Sequence, residues 1–417
     1  MTRTPAPPHP TQPRHGLRET YRELPRLAGR SFLPVALLAR LPFSMTALGI
    51  MLLVTSSTGS VAAGGLATGA SSLGTALLGA VHGNLADRFG QRPVVAVAVT
   101  ANATAMVAVV VAASQGAPLT VTIAACFATG ATSPQIGAFA RVRWIALTRD
   151  DPSALAAAMG YESTVDELTF VLGPALVGLI SATGRPELTL FAAASLTAAA
   201  GLAFAFHPTA RVTRPDGGDR SAQRALAARW PVRRLVPRAL APLLGMAAMG
   251  VFFGGMQAAV TAFATDAGRP GLAGLLYAAM GVGSAATALA VVAVPDRIDH
   301  RRRWVWSAAA MTVVSASTLV VTGVGPVVVV LGVTGLFIGP AMVTIFTVGG
   351  RLSPPGRAGT VMTLLVSANV IGGAAGVAGA GILAEAAGIH PAFAVPVTAA
   401  AVLTGIGLLA RGSTHVG

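Results

Sequence analysis

Gly79-Ala-Val-His-Gly83-Asn-Leu-Ala-Asp87-Arg88-Phe-Gly90-Gln-Arg92 is a dense mixture of glycine and charge set between two long apolar runs. The rest of the chain sets its meaning. Of 417 residues, 53% are hydrophobic and 11% charged, with a mean hydropathy of +0.70. A soluble domain has roughly a quarter of its residues charged, so this composition cannot cover a water-facing surface. Apolar stretches of about twenty residues suit a hydrocarbon layer about 30 Å thick. The expected class is all-α and membrane-integral, and the quoted stretch is a loop between two spans.

Working outward, twelve apolar segments fall between residues 32 and 410, separated by charge, glycine and proline. The net charge of +14 comes from arginine alone, and the arginines occupy alternate gaps. One set of gaps holds Arg88 and Arg92, Arg143 and Arg149, the run from Arg211 to Arg238, Arg297 with Arg301 to Arg303, and Arg351 with Arg357; the other set holds only Arg185 and Arg269. Basic loops stay on the cytoplasmic side. A multi-pass cell-membrane protein with both termini cytoplasmic is therefore expected, and the charge requires no nucleic acid. The divisions are a tail at 1–31, helices over 32–207, a linker at 208–238, helices over 239–410 and a tail at 411–417. The stretch from Gly16 to Gly29 is expected to form a short helix on the membrane surface. No cleavable signal peptide is expected ahead of the first span.

The two helical regions repeat each other. Asp87-Arg88 recurs as Asp296-Arg297, and Arg92 as Arg301, at one constant offset, although Gly83 and Gly90 have no counterpart. With Gly83, Asp87, Arg88, Gly90 and Arg92 in this order, the opening stretch resembles the signature loop between the second and third helices of major facilitator superfamily transporters. The resemblance implies twelve transmembrane helices in two pseudo-symmetric six-helix bundles. It also implies a gating role for the loop, with Asp87 approaching the other half. Asp87 is expected to meet the free N–H groups at the start of the eleventh helix, near Arg357 to Gly359. Arg88 or Arg92 is expected to pair with Asp150 or Asp151, and the two glycines to allow close approach and a tight turn.

Chemistry concentrates in Glu162-Ser-Thr-Val-Asp166-Glu167, in the inner half of the fifth span. At 1.5 Å per residue, Glu162 lies about 10 Å deep and the other two about 17 Å deep. Carboxylates there face a cavity or a partner. Glu162, Asp166 and Gly173 share one helix face, and Glu167, Pro174 and Gly178 another. Arg40 and Arg141 lie at comparable depth in the first and fourth spans. Three acids against two arginines leave one carboxylate over. The expected pairing is Glu162 with Arg141 and one deeper acid with Arg40, the remaining acid exchanging protons. A fixed structural network among the same residues is the alternative.

Gly173-Pro174, with Gly178, resembles in part the fifth-helix motif of the superfamily's antiporters. Gln135, Gly173, Pro174, Gln257 and Asn369 are the candidate cavity residues, with Phe252 and Met256 as apolar wall. No metal or cofactor is expected: Cys126 is the single cysteine, no nucleotide loop follows the glycine runs, and no nucleophile–base spacing suggests an enzyme. The expected function is proton-coupled export of small amphipathic or apolar solutes by alternating access. The partners are substrate, protons and lipid, and the working unit is a monomer. Proton-coupled import or facilitated movement of a small organic anion, and a non-transporting membrane protein with a structural ion cluster, remain open alternatives.

Overall fold

The computed structural model describes residues 17–149, 151–181, 183–213, 229–269, 272–291 and 298–410. Helix α1 (Leu17–Ala28) precedes α2 (Phe32–Thr58), α3 (Val61–Phe89), α4 (Gln91–Ser114), α5 (Leu119–Ala131), α6 (Ile136–Leu147), α7 (Pro152–Ser181) and α8 (Glu187–Phe206). A short α9 (Val232–Arg238) leads into α10 (Leu240–Asp266), α11 (Ala273–Ala290), α12 (His300–Ala316), α13 (Val324–Leu352), α14 (Ala358–Ala387) and α15 (Ile389–Leu409). Among the described residues, ten helices are long and apolar enough to cross a membrane. The α5–α6 pair fills the fourth position and α12 the ninth, which gives twelve spans in two bundles of six.

Prolines break two of the spans. The first is interrupted at Ala39–Arg40 within one apolar run. Pro42 has no N–H to continue the ladder, and Phe43 N donates instead to the Arg40 carbonyl at 3.0 Å. The fourth span opens over 132–135 around Pro134. Proline also disfavours helical geometry at the residue before it. Asn102 of α4 meets the loosened backbone, its Nδ2 donating to the Thr129 carbonyl at 2.6 Å. The opening stretch, expected as a loop, is helical through Phe89 and again from Gln91, and the chain turns only at Gly90, whose φ of +86° suits glycine alone.

Arg143, read from the sequence as a loop cation, turns inward and is fully buried. It donates to Gln91 Oε1 at 2.9 Å and to the Phe204 carbonyl and Thr209 Oγ1 at 3.0 Å. The second copy of the signature, Asp296-Arg297, lies outside the described residues, as do the tail at 1–16, the linker residues 214–228 and the tail at 411–417. Arg301 is described, and it donates to the Gly407 and Leu408 carbonyls at the end of α15.

The second bundle packs backbone to backbone. A Cβ on Gly250 or Gly254 of α10 would overlap the carbonyls of Asn369 and Gly373, and one on Gly372 or Gly376 of α14 those of Ala247 and Val251. Small residues allow this approach between helices in lipid. The same device joins α11 to α13 through Gly283, Gly335 and Gly339.

Candidate functional site

The interruption in α2 puts Arg40 against α7, and the break before α6 sets Arg141 and Trp144 on the same side. Glu162 and Asp166, one turn apart on α7, receive them. Arg40 is ion-paired with Glu162 and lies 3.4 Å from Asp166 Oδ1. Arg141 pairs with Asp166 Oδ2 at 2.6 Å. Trp144 Nε1 donates to Glu162 Oε1 at 2.7 Å. This corrects the expected pairing: Arg141 holds Asp166, and Arg40 bridges both acids. Arg40, Arg141 and Glu162 are buried, whereas the Asp166 side chain is 27% exposed. Two cations and two anions close this cluster.

Glu167 stands apart from it. One residue further along a helix is a rotation of about 100°, and this carries Glu167 away from the arginines toward α11 of the second half. Ser284 Oγ donates to Glu167 Oε1 at 2.8 Å. Oε2 faces Gly281 of the same helix, where a Cβ would lie 3.4 Å away, in ordinary contact. The arginine cluster touches the second half too, for the Arg141 guanidinium stacks on the Phe346 ring of α13 at 3.8 Å.

Asp87 lies at the rim of the same end. It accepts from Gly359 N at 2.9 Å, Thr360 N at 2.7 Å and Thr360 Oγ1 at 2.5 Å. The first N–H groups of a helix have no intrahelical acceptor, and the helix dipole favours a negative charge there. Gly83 makes this possible: a Cβ would overlap Thr363 Oγ1 and lie 2.6 Å from the Gly359 carbonyl. Arg357 adds a second tie from α14, to Asn84 of α3, and donates to the Trp230 carbonyl at 2.7 Å. Burial pulls the Arg357 guanidinium below its ordinary value, and the Asp87 charge opposes that shift. Hydrogen bonds between the halves run from this rim to the middle of α7 at Glu167.

Other assignments read differently in three dimensions. Arg92 stacks on Phe206 at 4.6 Å, and Arg88 is exposed. Asp151 caps α7 by accepting from Ser153 N and Ala154 N, while Asp150 lies outside the described residues. Gln135 is buried and donates to the Ser133 carbonyl. Gly173 is where α7 meets α2: a Cβ would strike Ser44 Oγ, which donates to the Thr169 carbonyl. Pro174 is half-buried beside it and Gln257 is exposed. Asn369 donates to the Met246 carbonyl inside its own half. Phe252 and Met256, expected as cavity wall, are fully buried in the second half's core. Trp144, Ser284 and Phe346 were not singled out in the sequence. Trp144 follows Arg141 by three residues, the spacing that marks a shared helix face, and this was the available clue. A serine or phenylalanine in an apolar span carries none.

A family model described as Major Facilitator Superfamily matches residues 32–377. No curated protein sequence matches the chain. Among solved structures, a bacterial homologue of the iron transporter ferroportin in an outward-facing state superposes with a TM-score of 0.72, at 15% identity over 91% of this chain and 98% of that one. The human organic anion transporter MFSD10 (TETRAN) gives 0.67 at 16% identity, over 91% and 99%. The transporter FucP in its outward conformation gives 0.62 at 14% identity, over 90% and 98%. At these identities the structural likeness concerns the fold, and the family match over most of the chain concerns the sequence. Both lead to one statement: the chain belongs to the major facilitator superfamily and is a multi-pass membrane transporter.

Proposed function

We propose that this transporter exports small amphipathic or apolar solutes in exchange for protons, by alternating access, as a monomer. The observation that carries the reading is the position of Glu167. Arg40 and Arg141 are taken up by Glu162 and Asp166, so Glu167 has no cation beside it, and its hydrogen bond crosses to the other half at Ser284. A carboxylate is a stronger acceptor than a carboxylic acid. Protonating Glu167 therefore weakens a bond that must break when α7 and α11 part. Asp87, with Gly83, Gly90, Arg88 and Arg92 around it, serves as the rim gate on the same side. The proposal takes the termini and the 208–238 linker as cytoplasmic, which makes the closed end the inner one; the placement of the arginines supports it.

Proteoliposomes loaded with acid buffer test the exchange. The parent is expected to concentrate a fluorescent amphipathic dye inside, and Glu167→Gln to allow only equilibration. Undiminished accumulation by Glu167→Gln overturns the assignment. For the orientation, cysteine at Gly325 but not at Gly217, in a Cys126→Ala background, should react with an impermeant thiol reagent outside intact cells.

A second reading has its own support. The Nε atoms of Arg40 and Arg141 are buried without a partner, two donors suited to the carboxylate of a small organic anion. Anion uptake driven by the opposite gradient, lost in Arg141→Gln, would favour it.

A further inference from the structure

Helix α1 precedes the first span and sits at the closed end. Its inner face consists of Tyr21, Leu24 and Ala28, at the spacing of one helical stripe. Leu24 is 1% and Ala28 4% exposed, and the helix packs along α7. Tyr21 reaches past α7: its hydroxyl donates to the Leu289 carbonyl of α11 at 2.7 Å. That carbonyl belongs to the last turn of its helix, where carbonyls look beyond the helix for donors. Gly160 of α7 lies directly beneath. A Cβ there would overlap the Ala288 carbonyl and come 2.9 Å from the Tyr21 hydroxyl. Tyr21 thus covers the spot where the backbones of the two halves touch. Burial raises its phenol well above the usual range, so the group remains a donor.

The outer face of α1 differs. Arg22 and Arg26, one turn apart, and Arg30 just beyond are exposed, with Leu27 at their border. Glu19 and Glu23 share the helix, and Arg18 adds to the basic total of the segment. An amphipathic helix with a basic outer row lies in the headgroup region of a bilayer, and anionic phospholipid is the partner that its charge fits. Arg88, Arg149, Arg211, Arg229 and Arg233 are exposed at the same end.

We propose that α1 is a lipid-responsive clip: anionic phospholipid headgroups bound along Arg22, Arg26 and Arg30 keep Tyr21 on the Leu289 carbonyl and so favour closure of this end. A ligand shifts an equilibrium only if it binds the two states differently, and here the difference arises from the helix itself. Isolated helices of about this length are marginal in water, and α1 carries Pro25 within it. When α11 withdraws, the Tyr21 anchor is lost, the turn frays and the arginine row disperses. Lipid therefore binds the seated helix more tightly than the released one.

The experiment measures the distance between spin labels on Arg149→Cys and Arg351→Cys, in a Cys126→Ala background, in nanodiscs. One set contains phosphatidylcholine alone and the other has phosphatidylglycerol added. The parent's closed-to-open ratio is expected to rise severalfold with phosphatidylglycerol. Changing Arg22, Arg26 and Arg30 together to Gln is expected to remove that response. Tyr21→Phe is expected to lower the ratio about fivefold in phosphatidylcholine, the worth of one net hydrogen bond, and to lose the lipid response as well. A parent distribution indifferent to phosphatidylglycerol overturns the proposal, as does a full lipid response in either variant. The readout is a distance and not a flux, so the outcome is separate from that of proton-coupled export.

Discussion

In the first half, Arg40, Arg141, Glu162 and Asp166 join α2, α6 and α7 through charges of which only Asp166 keeps some exposure. In the second half, α10 and α14 meet through glycines with their backbones in contact, and among the described residues the buried charge is confined to Arg357 at the rim. The two bundles share a plan and the glycine contacts, for α3 and α5 also meet backbone to backbone at Gly74 and Gly130; what the first half adds is the ionic cluster. A glycine contact depends on shape and has no state to change. An ionic cluster can be altered by a proton or by a ligand's charge, at a cost set by desolvation. On the proposed mechanism, the first half therefore holds the group that responds.

The largest test of this contrast is Arg40→Ala. It leaves Glu162 buried without its cation, and denaturant unfolding in detergent should show a loss of about 3–5 kcal/mol. Pairing Arg40→Met with Glu162→Gln should recover much of that, with a coupling of about 0.5–3 kcal/mol. Additive losses would mean that the two residues do not act as a pair.

Shape is tested next. Gly254→Ala should cost about 1–3 kcal/mol by forcing α10 off α14. Gly69→Ala, with open space around it, should be neutral or stabilise by up to about 1 kcal/mol. Equal effects at the two sites would remove the case for backbone packing as the second half's organising contact.

Asp87→Asn should leave the folded fraction nearly unchanged. It should shift the closed-to-open ratio about tenfold, equivalent to about 1.4 kcal/mol, by weakening the interaction with the start of α14. A reporter cysteine on the closed side measures it, and an unmoved reporter would remove Asp87 from the gate. Glu167→Gln should cost only about 0.5–1 kcal/mol of stability, because the amide oxygen still accepts from Ser284. A loss as large as that of Arg40→Ala would make Glu167 part of the structural cluster.

The spans, their number and the two-half plan were legible because arginine, glycine and proline punctuate the apolar runs. So was the separation of Glu162 and Asp166 from Glu167, since a spacing of four shares a helix face and a spacing of five does not. The pairing was not legible. Which acid Arg141 reaches depends on how α6 is rotated after the break at Pro134, and Arg40 is aimed by the interruption beside Pro42. Depth along a helix can be counted from sequence, but rotation after a break cannot. Nor can the neighbours of an isolated polar residue be counted, which is why Gln257 and Asn369 were grouped with a cavity, and Ser284 and Tyr21 with nothing.

The spacing of these contacts along the chain also orders the protein's biogenesis. The ionic cluster is complete by Asp166, so the first half can neutralise its own buried charges while the ribosome is still making the second. Glu167 must wait a further 117 residues for Ser284, and Asp87 waits 273 for Thr360. The groups that stay uncommitted longest during synthesis are the ones that join the halves. A newly made first half therefore has its ionic cluster complete, while Glu167 and Asp87 wait at the surface where its partner will dock.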